Sequence, residues 1–348
     1  MNIELLKNVC EKPGAPGFEA PIRNYILEVL ENLADEVKVD NMGSVIAIKR
    51  GNNNPENKKV MVAAHMDEIG FIVTHIDDQG FVRFHPLGGF DPKTLTAQRV
   101  IIHGKQDIIG VMGSKPIHVM SQEERAKLPK LTDYFIDLGM SKEEAEKVIK
   151  VGDPITRERQ LIEMGDCVNC KSIDNRVAVF ILLETLRTVG EMPFDLYATF
   201  TVQEEVGLRG ANVAAHQINP DFGIALDTTI AYDVPGAQGH EKITELGKGT
   251  AIKIMDAMTI CDYRMVDYMK KTADEKAISW QPEILTAGGT DTAGLQRMGK
   301  QGAIAGAISI PTRHLHQVIE MAHKKDIQGS IDLLNACLEN MDQYDWTH

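Results

Sequence analysis

Cysteine is scarce in this chain: five among 348 residues (Cys10, Cys167, Cys170, Cys261 and Cys337), an odd number at irregular spacing. That argues against a disulfide framework. Cys167 and Cys170 form one C-x-x-C, but no second C-x-x-C and no H-x-x-x-H completes a structural zinc site, so both read as ordinary reduced thiols near a domain boundary. No apolar run approaches the roughly 20 residues of a membrane span, so no membrane partner is expected. The N-terminus, M-N-I-E-L-L-K, has no basic stretch followed by an apolar one; a secretory signal is not expected, and the cytoplasm is the expected location. Positive charge is in deficit, with 37 Lys and Arg against 50 Asp and Glu and a net charge of -13. Nucleic acid is therefore not an expected partner, because phosphate binding needs clustered cations. Aromatic residues make up only 5%, with two Trp.

What is present is ordinary globular composition, 43% hydrophobic and 25% charged, over a length that suits two domains better than one. Against that background stand clusters of metal-ligand residue types: His65 and Asp67 in A-A-H-M-D-E, Asp174 in S-I-D-N-R, Glu204 and Glu205 in V-Q-E-E-V-G, Asp227 in A-L-D, and His316 in R-H-L-H. Most sit where a hydrophobic run stops, which is where an open α/β sheet places its working residues. Imidazoles and carboxylates without a thiolate suit two divalent ions, Zn²⁺ or Co²⁺ before others.

The chain pattern supports that placement. A helix is expected around Pro21 to Leu33, then a strand from Val39 to Lys49 and a polar turn over Gly51 to Asn57. K-K-V-M-V-A-A-H reads as a buried strand, with His65 and Asp67 facing one side at its end. From Gly70 to about Asp166 the pattern changes to short alternating strands punctuated by Gly and Pro, broken by the charged helix S-K-E-E-A-E-K-V-I-K. This stretch, 70–166, is expected to be an inserted small β-barrel or sandwich. Its four histidines, His75, His85, His103 and His118, show no pairing and read as surface or satisfied side chains. The flanking parts, 1–69 and 167–348, are expected to form one discontinuous catalytic domain. There, strands ending on Glu204 and Glu205 and on Asp227 alternate with helices, which implies an α/β three-layer sandwich.

Each cluster alone has a plain reading. H-x-D is common, E-E is often a solvated face, and a lone Asp after a strand is often a helix N-cap. Together they divide into roles. Asp174, opening a helix between the two halves of the set, is the expected bridge between ions. His65 with Asp227 is expected on one ion and Glu205 with His316 on the other. Glu204 is left over as a general base, and Asp67 is placed to accept the second ring N–H of His65.

The residues A-A-H-M-D-E-I-G-F, S-I-D-N-R, Q-E-E-V-G-L-R-G, A-L-D, G-G-T-D and I-P-T-R-H-L-H resemble the dinuclear aminopeptidases of metallopeptidase family 42, which include glutamyl, deblocking and tetrahedral aminopeptidases. The resemblance spans essentially the whole chain and implies the same roles. His65, Asp174, Glu205, Asp227 and His316 match the metal ligands, Glu204 the base and Asp67 the carboxylate that orients His65. It further implies a cis Asp174–Asn175 peptide, an insert that dimerises, and a homo-oligomer of twelve subunits built from dimers. Substrates would be short peptides with a free N-terminus, and G-G-T-D, with Gly289, Thr290 and Asp291, would lie beside them. The chain departs from the family at His314, where Tyr is frequent, and at Gln317, where a small residue is frequent. A glycoside hydrolase would also use paired carboxylates, but it would leave the histidines without a job. A non-catalytic assembly protein with a closed structural metal site would have no use for a spare base.

Overall fold

The computed structural model describes residues 1–52 and 54–348. Among them an eleven-stranded sheet forms the body of the molecule. Its spine runs Glu36–Val39, Val45–Lys49, Asp195–Thr201, Lys59–His65, Phe222–Ile230, Ile304–Arg313, Glu320–His323, Cys167–Cys170 and Ile162–Met164. Thr250–Met255 and Trp280–Ile284 attach beside Ile304–Arg313. The central pairings are parallel, so the carboxyl ends of Lys59–His65, Asp195–Thr201 and Phe222–Ile230 reach the same edge. Strand Lys59–His65 shows why the sheet carries helices on both faces. Val60, Val62 and Ala64 enter one core cluster, with the helices Ile3–Glu11, Ile173–Thr188, Tyr263–Glu275 and Lys324–Glu339. Met61 and Ala63 enter another, with the helices Arg209–Ile218 and Thr292–Arg297. Alternate residues of a strand point to opposite faces, so an unbroken apolar run is buried twice.

The stretch between these halves closes into a barrel of six strands in the order Gly70–Ile76, Val82–Leu87, Phe135–Asp137, Asp107–Gly113, Arg99–His103, Pro154–Arg157. Its own core includes Phe71, Val73, Val100, Ile102, Ile136 and Ile155. Ile162–Met164 pairs with Cys167–Cys170 in the large sheet, so the chain rejoins that sheet inside the stretch expected for the insert. Three of the barrel histidines, His75, His85 and His118, are exposed. His103 hydrogen-bonds Asp107 and Thr156, both at 2.8 Å.

Three local expectations change. The strand expected over 39–49 is a hairpin, because Asp40 Oδ1 accepts the N–H groups of Met42, Gly43 and Ser44 and Gly43 takes a φ of +102°. A helix not anticipated, Ile3–Glu11, begins with the Asn2 side chain capping Leu5 and buries Leu5, Leu6, Val9 and Cys10. The strand expected to end on Asp227 continues to Ile230, so Asp227 lies within it. The polar turn expected over Gly51–Asn57 includes Asn53, which lies outside the described residues. All five cysteines are free, and among the described residues no helix is long and apolar enough to cross a membrane.

Candidate active site

Five separate segments converge at the carboxyl edge of the sheet. His65 ends its strand, Glu204 and Glu205 follow Asp195–Thr201 in a turn, and Asp227 comes from the neighbouring strand. Asp174 sits where the long helix Ile173–Thr188 opens, with non-helical backbone at Asp174 and Asn175 and a cis peptide between them. His316 lies in the loop between Ile304–Arg313 and Glu320–His323. His314, its rival in R-H-L-H, is exposed, whereas His316 reaches the cluster.

Asp174 is the centre of the arrangement. Its Oδ1 lies 3.4 Å from His65 Nε2 and its Oδ2 lies 3.4 Å from His316 Nε2. The same nitrogen of each imidazole faces a second carboxylate: Asp227 Oδ1 is 3.8 Å from His65 Nε2, and Glu205 Oε2 is 3.6 Å from His316 Nε2. Glu204 Oε2 is 3.9 Å from His65 Nε2. His65, Asp174 and Glu205, and likewise His65, Glu204 and Asp227, bring one ligand atom each to within 4.8 Å of one another. His316 Nδ1 donates to the Gly89 carbonyl at 2.9 Å, a contact across to the barrel that leaves Nε2 unprotonated for a ligand in the neutral imidazole.

The electrostatics are those of a site short of positive charge. Burial pushes the carboxyls of Glu204 and Asp227 well above their ordinary range, and carboxylate neighbours add to the push. Glu205 is pushed up to about 7 by burial and Asp174. Asp174 goes the other way: burial opposes its charge, but hydrogen bonds to His316 and His65 outweigh it and hold its pKa below the usual range. Burial likewise disfavours charged imidazoles, yet the surrounding carboxylates raise both, His316 to about 10. Glu205 Oε1 is buried with no hydrogen-bond partner. A pocket of acids this dense, with an orphaned oxygen and imidazole nitrogens aimed inward, fits divalent cations.

Asp67 and the G-G-T-D loop lie around this centre. Asp67 is fully buried; its Oδ1 is 3.4 Å from His65 Nδ1, and its two oxygens accept the N–H groups of Glu204 and Glu205. Gly289 and Thr290 line a cavity of about 820 Å³ that also contains His65, Asp174, Glu204 and His316. Asp291 is buried behind that wall, bonded to the Thr201 hydroxyl, and is pushed by burial to about 6.

Two carboxylates near the centre were not anticipated. Glu19 Oε1 accepts the N–H of Gly17 at 2.7 Å and of Gln203 at 3.2 Å. Glu320 accepts the N–H groups of Asp174 and His316. Gln203 and His316 both have left-handed backbone, at φ +55° and +61°, a conformation that costs a non-glycine residue on the order of 1–3 kcal/mol and persists only where its surroundings enforce it. The only sequence signal was an acidic residue in an otherwise apolar setting, as in V-I-E-M-A.

Known proteins resemble the chain over nearly its whole length. Residues 43–333 match the family described as M42 glutamyl aminopeptidase. A lysyl aminopeptidase of Pyrococcus furiosus is 35% identical, with 99% of each chain covered. The solved TET aminopeptidase of a marine-sediment Thaumarchaeota archaeon superposes with a TM-score of 0.94 at 37% identity, over 97% of this chain and 96% of the other. The TET1 peptidase of Pyrococcus horikoshii, which assembles into a tetrahedron or a large octahedral shell, superposes at 0.86 with 31% identity, over 97% and 98%. The chain belongs to the M42 family of aminopeptidases and is a peptidase hydrolase.

Proposed function

We propose that this chain removes N-terminal residues from short peptides, using two divalent metal ions and Glu204 as general base. The observation that carries the reading is Asp174 between two imidazoles, one oxygen facing each at 3.4 Å. A carboxylate in that position has one oxygen for each of two ions. His65 and Asp227 would hold one ion and His316 and Glu205 the other, with Asp174 shared; the donor set suits Zn²⁺ or Co²⁺. When bound, two such ions would supply a docking point for the free N-terminal amine, polarise the scissile carbonyl and acidify a water toward neutrality.

The protein's part is to move the proton. Glu204 takes it from the water as the water oxygen attacks the carbonyl carbon, then delivers it to the leaving nitrogen as the C–N bond breaks. Glu204 is buried beside His65, its Oε2 3.9 Å from Nε2, within reach of a water held at the site. Asp67 orients His65 and holds the backbone of the base. Gly289 and Thr290, in the wall of the cavity, would flank the peptide, with Asp291 bracing that loop from behind.

We divide the chain into a catalytic domain and an inserted domain, expected over 70–166 but ending before Ile162–Met164, which pairs in the large sheet; subunits pair through the insert. Exposed apolar side chains on the insert, Ile109, Val111, Ile117, Val119 and Leu128, support that pairing. The tetrahedral assembly of the Pyrococcus horikoshii relative supports a closed particle, which we take to have twelve subunits built from dimers. Five free thiols fit a reducing cytoplasm.

The test is hydrolysis of a panel of short peptides, with free or acetylated N-termini, by Zn²⁺- or Co²⁺-loaded protein and a chelated control. Metal-dependent release of the first residue from only the free-amine peptides is expected. Internal cleavage, or no cleavage by the loaded protein, would refute the reading.

A further inference from the structure

Glu320 occupies a position where an apolar residue would cost less. It is wholly buried at the start of a strand, with the buried apolar side chains Val318 and Ala322 two residues to either side, and among the described residues it makes no ion pair within 4.0 Å. A buried carboxylate without a direct counter-ion is costly unless its oxygens are satisfied. Those oxygens are satisfied by two backbone groups: Oε2 accepts the Asp174 N–H at 2.9 Å and Oε1 accepts the His316 N–H at 2.9 Å.

Neither donor has a regular partner available. Asp174 opens a helix, where the first N–H groups have no intrahelical acceptor. His316 lies in a loop with left-handed backbone, where no ladder bond is on offer. One rigid carboxylate therefore ties the residue between the imidazoles to one of those imidazoles. Burial disfavours its charge, and the guanidinium of Arg157, on the last barrel strand, is the leading influence in the opposite direction. Arg157 is itself buried and donates from Nη2 to the Lys171 carbonyl.

We propose that Glu320 is a positioning residue that sets the spacing between Asp174 and His316, and with it the affinity of the ion these two would share. The proposal rests on the two-ion reading of the site. It bears most on the ion at His316, where Glu320 holds the backbone of both Asp174 and His316, and less on the one at His65 and Asp227, which shares only Asp174.

The experiment is a Co²⁺ titration of metal-stripped protein, followed by equilibrium dialysis and visible absorption, for the native chain, Glu320→Gln and Glu320→Ala. His316→Ala identifies the absorption band of its site. Glutamine keeps the shape of glutamate but has one accepting oxygen, so one of the two N–H groups loses its partner. Two ions per chain are expected for the native protein. In Glu320→Gln the His316 ion is expected to bind about 10- to 100-fold more weakly, the cost typical of losing a group that orients a metal ligand, with a clearly smaller loss at the other site, which shares only Asp174. In the loaded variant kcat falls more than KM changes.

Glu320→Ala gives the same pattern more strongly; should it not fold, the isosteric Gln variant carries the same readout. A folded Glu320→Gln with both affinities native overturns the proposal. So does an equal loss at both sites accompanied by a lowered melting temperature, which marks a merely structural role. A native chain that takes up no Co²⁺ overturns the two-ion reading itself, and this proposal with it.

Discussion

Asp67 holds Glu204 by its backbone: Oδ1 of the buried Asp67 carboxylate accepts the Glu204 N–H at 3.1 Å, while Oδ2 accepts that of Glu205 at 3.2 Å. The same Oδ1 is 3.4 Å from His65 Nδ1. One side chain thus holds the backbone of two carboxylates and lies beside an imidazole. In Asp67→Asn one accepting oxygen becomes an amide that can only donate, which opposes one of these contacts. Turnover is expected to fall about 10- to 100-fold, with a smaller change in KM. Steady-state kinetics on the loaded variant checks this, and a native kcat would remove Asp67 from the machinery.

Glu204 should be separable from metal binding. Its carboxylate is raised by burial, and Asp227 and Glu205 add to the effect, so replacing it by the neutral isostere relieves repulsion. Glu204→Gln is expected to keep two ions per chain, counted by elemental analysis, while kcat drops by on the order of 10² to 10⁴. Retained turnover would assign the proton transfer elsewhere.

Metal removal should also register in stability. Glu204, Glu205 and Asp227 are all buried and all raised in pKa, so the metal-free protein keeps costly acids together that cations would relieve. Adding Zn²⁺ at about 100 times its dissociation constant should stabilise the fold by about 2.7 kcal/mol for each site filled. Calorimetric melting of stripped and reloaded protein measures it. Identical melting temperatures would contradict the cluster as a metal site.

Glu19 offers a pH test at a group that is not itself an expected metal ligand. Burial raises its pKa from 4.5 to about 7. A carboxyl raised in the folded state favours folding fully below its unfolded pKa, and that contribution is lost as pH rises through the folded pKa. Native stability should therefore decline between about pH 4.5 and 7 from this source, by on the order of 1 to 3 kcal/mol. Glu19→Gln keeps the oxygen that accepts both N–H groups but cannot ionise. Denaturant midpoints of metal-free protein should show the variant more stable at pH 8, the advantage shrinking toward pH 5. A constant difference across that range would exclude the titration.

The hairpin at Asp40 and the helix at Ile3 were readable, since D-N-M-G is a turn that its own Asp side chain caps and Asn2 is a helix cap ahead of a buried apolar face. Short apolar stretches nonetheless leave strand and helix hard to separate by periodicity alone. Asp227 was found in the site although its strand runs three residues further, because its residue type and the run before it marked it, not the exact end of the strand.

By itself the sequence determined the α/β layers, the inserted β-rich domain and the residues that meet at Asp174. Hydrophobic periodicity reports which faces are buried, and histidines and acids at the ends of buried runs stand out chemically. Only the tertiary structure decided that the insert closes as a barrel and that Glu19 and Glu320 accept backbone N–H groups beside the site. Those outcomes depend on where backbone N–H groups point after the chain has folded, and a lone glutamate in an apolar stretch carries no record of that direction.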